Sequence, residues 1–156
     1  MGWWLIEYRQ ECLKTTRTDC LPLIHSHWHE VALNKDSIKL SPDWDEYQRL
    51  DDSGVLRIYT ARDGAKLVGY FVLIVSKSLH YKDHKFAVND ILFMDKDYRK
   101  GSVAIKLLRF AEKMLKADGV SLMMVNTKVH QPFDPLMERL GYNLIERIYS
   151  KNLIEG

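Results

Sequence analysis

Residues 89–115, NDILFMDKDYRKGSVAIKLLRFAEKML, set the fold of this chain. Asp90-Ile91-Leu92-Phe93-Met94 is apolar apart from one carboxylate and reads as a strand. The strand breaks at Asp95-Lys96-Asp97-Tyr98, and Arg99-Lys100-Gly101-Ser102 turns into a helix. Val103, Leu107, Phe110, Ala111 and Met114 recur at helical spacing and make one apolar face; Lys106, Arg109, Glu112 and Lys113 take the other. A small-residue turn opening a helix presents backbone N–H groups without partners and the positive end of the helix dipole. With Arg99 and Lys100 adding charge, the turn suits a phosphate or pyrophosphate. An ordinary strand-to-helix connection has the same local form, and the turn alone does not separate the two.

The chain has 156 residues, enough for one domain with a full core spanning 1–156 and no room for a second. Apolar content of 46% and charged content of 28% are those of a globular protein. A formal net charge of +2 gives no indication of a nucleic-acid partner. Cys12 and Cys20, close together and without a secretory signal, read as free thiols in a reducing compartment, which makes a cytoplasmic location the expectation. No apolar run approaches membrane-spanning length. The start, Met1-Gly2-Trp3-Trp4-Leu5-Ile6, lacks the Ser or Thr of a myristoylation signal.

Taken in order, Trp3 to Tyr8 predicts a first strand. Thr18 or Asp19 caps a helix with Pro22 in its first turn and an apolar stripe of Leu21, Ile24, Trp28, Val31 and Ala32. Ser41-Pro42-Asp43 starts a second helix that carries Trp44, Tyr47 and Leu50 on one face and ends before Gly54. Val55–Ala61 and Lys66–Val75 flank Asp63-Gly64 and predict a hairpin. Gly69 marks a bulge or a close backbone approach. After the polar loop Ser78–His84, Phe86–Asp95 is the next strand. Asp118-Gly119 stops the long helix, and Val120–Val125 is a short central strand. Asn126–Pro135 is irregular, Leu136–Leu140 is helical with Gly141 as its stop, and Tyr142–Leu153 is expected as a final strand.

This order, and the segment Tyr98-Arg99-Lys100-Gly101-Ser102-Val103-Ala104, resemble the GNAT superfamily of acyl-CoA-dependent N-acyltransferases, whose motif A reads Arg/Gln-x-x-Gly-x-Gly/Ala after a strand. Arg99 and Ala104 fit; Ser102 replaces the first motif glycine, and Gly101 stands one place earlier. Leu136-Met137-Glu138-Arg139-Leu140-Gly141-Tyr142 resembles the family's late segment, commonly Leu-Tyr-Glu-Lys-Leu-Gly-Phe. The resemblance implies an α/β (α+β) fold: one domain with a mixed, mostly antiparallel central sheet, flanking helices and a splayed strand pair. It implies acyl transfer from acyl-CoA, most simply acetyl-CoA, to an amine within a ternary complex, with no metal. The alternative is the same fold binding CoA or a protein partner without turnover. The implied cofactor-binding residues are Phe93, Met94, Arg99, Lys100, Gly101, Ser102, Val103, Ala104 and Asn126.

Amide formation needs a neutral amine, so a base is expected, direct or through water. Asp90 aligns with the position where many family members place a glutamate. A carboxylate in an apolar strand is costly unless paired or solvated; Asp90 is either that base or a strand-end acid paired within a structural network. Family members often use a tyrosine as the acid that reprotonates CoA, and here that position is Met137, which cannot donate a proton. Either another group does so, with Tyr98, His130 and Asp134 as candidates, or the thiolate leaves unaided; Tyr98 joins Asp90 in the expected catalytic pair. His25, His27 and His29 lie close together, but a metal site needs further ligands and no HExxH pattern is present. The first two helices of the resembled fold wall the acceptor cleft, which makes His29, Glu30, His80 and Tyr81 candidate acceptor contacts; a partly buried polar helix face is the plainer reading and the one favoured. The partner expected is an amine acceptor, small or macromolecular, and a homodimer is compatible with the reading.

Overall fold

A computed structural model describes residues 5–154. β1 (Ile6–Glu11) begins later than the aromatic start suggests; Trp3 and Trp4, part of the expected strand, lie outside the described residues. β1 pairs antiparallel with β2 (Leu56–Asp63), β2 with β3 (Lys66–Lys77), and β3 with β4 (Lys85–Met94). β4 pairs in parallel with β5 (Val120–Met124), giving one five-stranded sheet in sequential order. Asp63-Gly64 makes the β2–β3 turn, with Gly64 at φ +58°.

Helices cover both faces of the sheet. α3 (Val103–Ala117) presents Val103, Leu107, Leu108, Ala111 and Leu115 to Tyr59, Ala61, Phe71, Leu73 and Met94. Phe110 is half-buried, edge-on to Tyr59 and near Tyr8, while Lys106 and Lys113 are exposed. On the other face, α1 (Leu13–Val31) and α2 (Trp44–Asp52) cover Leu56, Ile58, Tyr70, Val72 and Phe93.

α1 corrects the sequence reading. It starts at Leu13, so Pro22 lies inside the helix instead of in its first turn. Two interactions fix that early start: the Asp51 carboxylate accepts from the Leu13 N–H at 2.8 Å, and the Thr16 hydroxyl donates to the Cys12 carbonyl at 3.0 Å. The buried face is consequently Leu13, Thr16 and Cys20, continued by Leu23 and Ile24, and Leu21 points to solvent. For α2 the cap is Asp43, not Ser41: its carboxylate accepts from the Glu46 N–H at 3.0 Å.

The last expected strand is absent among the described residues. Beyond α4 (Asp134–Arg139) and Gly141 the chain joins no ladder, and Leu144, Ile145, Ile148 and Tyr149 are exposed. Alternation gives a segment strand propensity, but a strand exists only through its pairing, and this one meets no neighbouring strand among the described residues.

Two irregularities in the ladders shape the centre of the sheet. Ala61 pairs with Gly69 and Arg62 with Leu67, leaving Val68 over as the extra residue of β3. Gly69 itself is a close approach: a Cβ there would stand 2.6 Å from Met94 Cε. In β4, Val72 pairs with Ile91 and Leu73 with Asn89, which leaves Asp90 unpaired as a β-bulge.

Candidate active site

The parallel pairing of β4 with β5 ends at Val88 and Met124, and from there β4 continues without a strand partner on that side among the described residues. Asn89 closes the ladder, its side-chain oxygen accepting the Asn126 N–H at 2.6 Å. The side chain of Asn89 thus takes up the first backbone donor beyond the ladder, and the strands part after it. Phe93 and Met94 form the far end of the free stretch. Phe93 faces α1, between Tyr70 and His27, with ring centroids at 5.5 and 4.9 Å; Met94 faces the α3 layer.

Asp90 stands at the mouth of this gap. A bulge residue has lost its ladder partner, and its side chain is re-aimed relative to the pleat. Here it turns toward α2, where the Tyr47 hydroxyl donates to its carboxylate. Burial, then the bond to Asp90, push the pKa of Tyr47 up, so the phenol keeps its proton and acts as a fixed donor. Asp90 itself is exposed, leaving its second oxygen open to a ligand or water.

The turn after β4 leads into α3. A short helical turn, Lys96–Tyr98, is capped by the Asp95 carboxylate, which accepts the Asp97 N–H at 3.0 Å. Gly101 lies at φ +97°, a conformation that glycine adopts without strain. Ser102 caps α3 through its backbone carbonyl, which accepts from Lys106 N–H, and places no side-chain oxygen on the first-turn N–H groups. Lys100, Gly101 and Ser102 are exposed, Ala104 is half-exposed and Val103 is anchored in the core. Those N–H groups therefore remain open at the positive end of the helix.

Arg99 is differently employed. Its Nη2 donates to both Glu30 oxygens, at 3.0 and 2.7 Å, and its Nε to the Met94 carbonyl at 2.8 Å. The guanidinium thus ties the end of α1 to the end of β4 and fixes the path of the turn. Glu30 is the partner in this clamp.

A family model described as Acetyltransferase (GNAT) family matches residues 21–142. The chain belongs to that family. N-acyl transfer is the activity that goes with membership. No curated protein matches the sequence. Solved structures share the fold at low identity. A GCN5-related N-acetyltransferase from Ralstonia eutropha JMP134 superposes with a TM-score of 0.76 at 16% identity, over 94% of this chain and 98% of that one. The ribosomal-protein-alanine N-acetyltransferase of Brucella melitensis biovar Abortus 2308 gives 0.71 at 17%, over 95% and 99%. An aminoglycoside acetyltransferase from an uncultured soil metagenomic sample, in complex with trehalose, gives 0.74 at 13%, over 97% and 99%.

In this acetyltransferase the expected site residues fall into two groups. Asp90, Phe93, Met94, Glu30, Asn126 and the turn from Arg99 to Ala104 gather around the β4–β5 gap and the start of α3. His80 and Tyr81 do not: they are exposed on the β3–β4 loop, whose His84 contacts the Ser121 hydroxyl at 2.8 Å, at the paired end of β4 and β5. The rise of a strand puts five residues, or about 16 Å, between Lys85 and Asp90. His29 is exposed, its ring packed on Trp28. Tyr98 is buried and donates to Asp63 at 2.7 Å; that bond first, then burial, push its pKa up to about 12. Met137 is buried in the α3 core. Asp134 accepts from the Thr127 hydroxyl at 3.2 Å, and His130 is exposed. Among the described residues no group of three or more His, Cys, Asp or Glu is disposed to hold a metal, and no helix is long and apolar enough to cross a membrane.

Two residues absent from the sequence-based set belong here: Tyr47, through Asp90, and His27. With α1 starting at Leu13, the buried positions 13, 16 and 20 and the partly buried 24 extend at helical spacing to 27, so the face that carries His27 is legible once the start is placed correctly. Burial lowers the His27 pKa to about 4, with Arg99 and Lys128 acting in the same direction and Glu30 opposing. Because the folded value lies below the ordinary 6.5, the unfolded chain takes up the proton first. The contribution is whole above pH 6.5 and is lost as pH falls toward 4. After discounting for solvent screening, His27→Phe should remove roughly 1–2 kcal/mol of the stability lost across that window. Urea unfolding of both proteins at a series of pH values measures the difference; parallel curves would show that His27 titrates normally.

Proposed function

We propose that this chain transfers an acetyl group from acetyl-CoA directly to a primary amine, with Asp90 as the base. The observation that supports the reading most is the bulge at Asp90. It places a carboxylate, oriented by Tyr47, beside a strand edge that has lost its partner. The free edge of β4 at Phe93 and Met94 suits the pantetheine arm, and an N–H of that stretch suits the thioester oxygen, where charge develops as the amine attacks. The turn from Arg99 to Ala104 suits the pyrophosphate through backbone N–H groups, with Lys100 adding charge and Ser102 a hydroxyl. Asn126 borders the same gap.

The reaction balances simply. The ammonium group loses a proton to Asp90 or to water that Asp90 holds. The neutral nitrogen forms a bond to the carbonyl carbon, the carbon–sulfur bond breaks with its electron pair on sulfur, and the second nitrogen proton ends on the thiolate. Tyr98 is tied to Asp63 and we assign it to holding the turn. Structural neighbours are named for aminoglycosides, for ribosomal-protein alanine and for glucosamine-6-phosphate, all of them amines.

Acetyl-CoA should raise the melting temperature, because a ligand that binds only the native state stabilises it, by about 2.7 kcal/mol at a hundred times its Kd. Gly101→Glu places an anion at the turn and should abolish the shift relative to the variant's own melting temperature. An unchanged wild-type melting curve in millimolar acetyl-CoA would remove the donor assignment.

A further inference from the structure

A cavity of about 270 Å³ lies between α1, α2 and the strands β2 to β4. Its walls are apolar and aromatic, with Ile24, Trp28, Trp44, Ile58, Tyr70 and Val72 prominent. Tyr47 and Ile91 also line it, so one end abuts Asp90, which Tyr47 holds and Ile91 follows. Two properties of the lining bear on what fits. First, the charged side chains in it are Arg17 and Lys39, both cationic, with Arg17 lying 4.6 Å from the Trp44 ring centroid. A polycation would meet like charge there and no carboxylate along the wall. Second, the Tyr70 hydroxyl is buried and has no hydrogen-bond partner among the described residues, and it lies within electrostatic reach of Cys20 and Tyr47, two other lining residues. A buried polar group left without a partner is costly, and this one belongs to a residue of the cavity lining.

We propose that the acceptor is a monoamine with an apolar, ring-sized body, seated in this cavity with its nitrogen at Asp90 and within reach of the Tyr70 hydroxyl. This rests on the acyl-transfer reading above and names its substrate class. The cavity is small for a ligand site, which limits the body to one ring system or a short branched chain. The nitrogen enters the same bond exchange: it loses one proton to Asp90, forms the amide bond, and passes the second proton to the departing thiolate.

The test uses the full chain and three probes: 2-phenylethylamine, ethylamine and spermidine. Calorimetry without acetyl-CoA should detect 2-phenylethylamine and neither of the others at the same concentration. With acetyl-CoA, kcat/KM for 2-phenylethylamine should exceed that for ethylamine by about 10–100-fold, as expected for burial of a phenyl group. Ile24→Trp, which fills the cavity, should reduce that preference to within about threefold while the acetyl-CoA melting shift persists. Tyr70→Phe should raise KM for 2-phenylethylamine by about 3–10-fold with little change in kcat, as for one lost hydrogen bond. Its melting temperature should stay level or rise, since the unpartnered hydroxyl is gone. An acetyl-CoA shift together with equal use of ethylamine and 2-phenylethylamine, or a preference for spermidine, would overturn the proposal and leave acyl transfer standing. Absence of the acetyl-CoA shift would remove the transfer reading instead, and calorimetry would still decide the cavity. Unchanged KM in Tyr70→Phe would reduce its hydroxyl to a structural feature and overturn the placement of the nitrogen.

Discussion

Asp90→Asn is expected to lower acyl transfer by about 10²–10⁴-fold, the usual contribution of a positioned base, and to leave acetyl-CoA affinity near wild type. Asparagine keeps the shape of aspartate and can still accept from Tyr47, so the bulge and the α2 contact survive. What it loses is the capacity to take a proton. The loss should shrink as pH rises, because more of the amine is then neutral before it binds. A structural Asp90 gives the opposite pattern: lower stability and weaker donor binding, with turnover per folded molecule unchanged. Steady-state rates from pH 6 to about 10, set beside acetyl-CoA melting shifts, separate the two. Wild-type rates across that range would take Asp90 out of the mechanism and leave positioning by the cleft as the main source of rate.

Leu107→Ala carries the largest expected cost in stability. The side chain is fully buried at the centre of the α3 face, among Tyr59, Phe71, Leu73 and other core residues. Truncation removes three carbons from close packing and leaves a cavity that rigid strands cannot close, at about 2–5 kcal/mol. For a chain of this size each kcal/mol lowers the melting temperature by about 2–4 °C. Lys113→Ala, exposed on the opposite side of the same helix, should stay within about 0.5 kcal/mol of wild type. Phe110→Ala should fall between them, since that ring is only half-buried. Denaturant unfolding of the three variants gives the ranking, and equal effects for Leu107 and Lys113 would mean that the helix face is misassigned.

α3 was legible from sequence because its period is strong: one apolar stripe, one charged stripe and a turn at each end. The Asp63-Gly64 hairpin was legible for a similar local reason. α1 was misplaced because the true cap, Cys12, is not a usual capping residue, while Thr18, Asp19 and Pro22 imitate a helix start further along. The long-range contact that fixes the real start, Asp51 to Leu13, joins residues 38 apart. The tail beyond Gly141 has a strand's alternation, but alternation does not supply a neighbour. At the site, Asp90 was visible as a misfit carboxylate, and the basic turn as a motif. Tyr47 was visible only as a member of an apolar face, since its bond to Asp90 spans 43 residues. The bulge was hidden altogether: Ile91, Leu92, Phe93 and Met94 are all apolar, so the change of phase leaves no trace in hydropathy.

That change of phase makes residue number along β4 a design variable. Ala87 and Met94 pack into the same α3 core although they stand seven apart, a spacing that puts two residues of a regular strand on opposite faces. Asp90 acts as a frameshift in the pleat. Drawing Asp90 into the ladder as an ordinary strand residue would do more than redirect a carboxylate: Ile91 and Phe93 would swing into the α3 layer, and Leu92 and Met94 onto the α1–α2 side. The donor edge and the acceptor wall would be exchanged by the loss of the bulge at constant length. Deleting Asp90 would leave both faces in place, with Ala87 and Met94 six apart on a regular strand, so Asp90→Asn removes the carboxylate alone and the deletion removes carboxylate and bulge together.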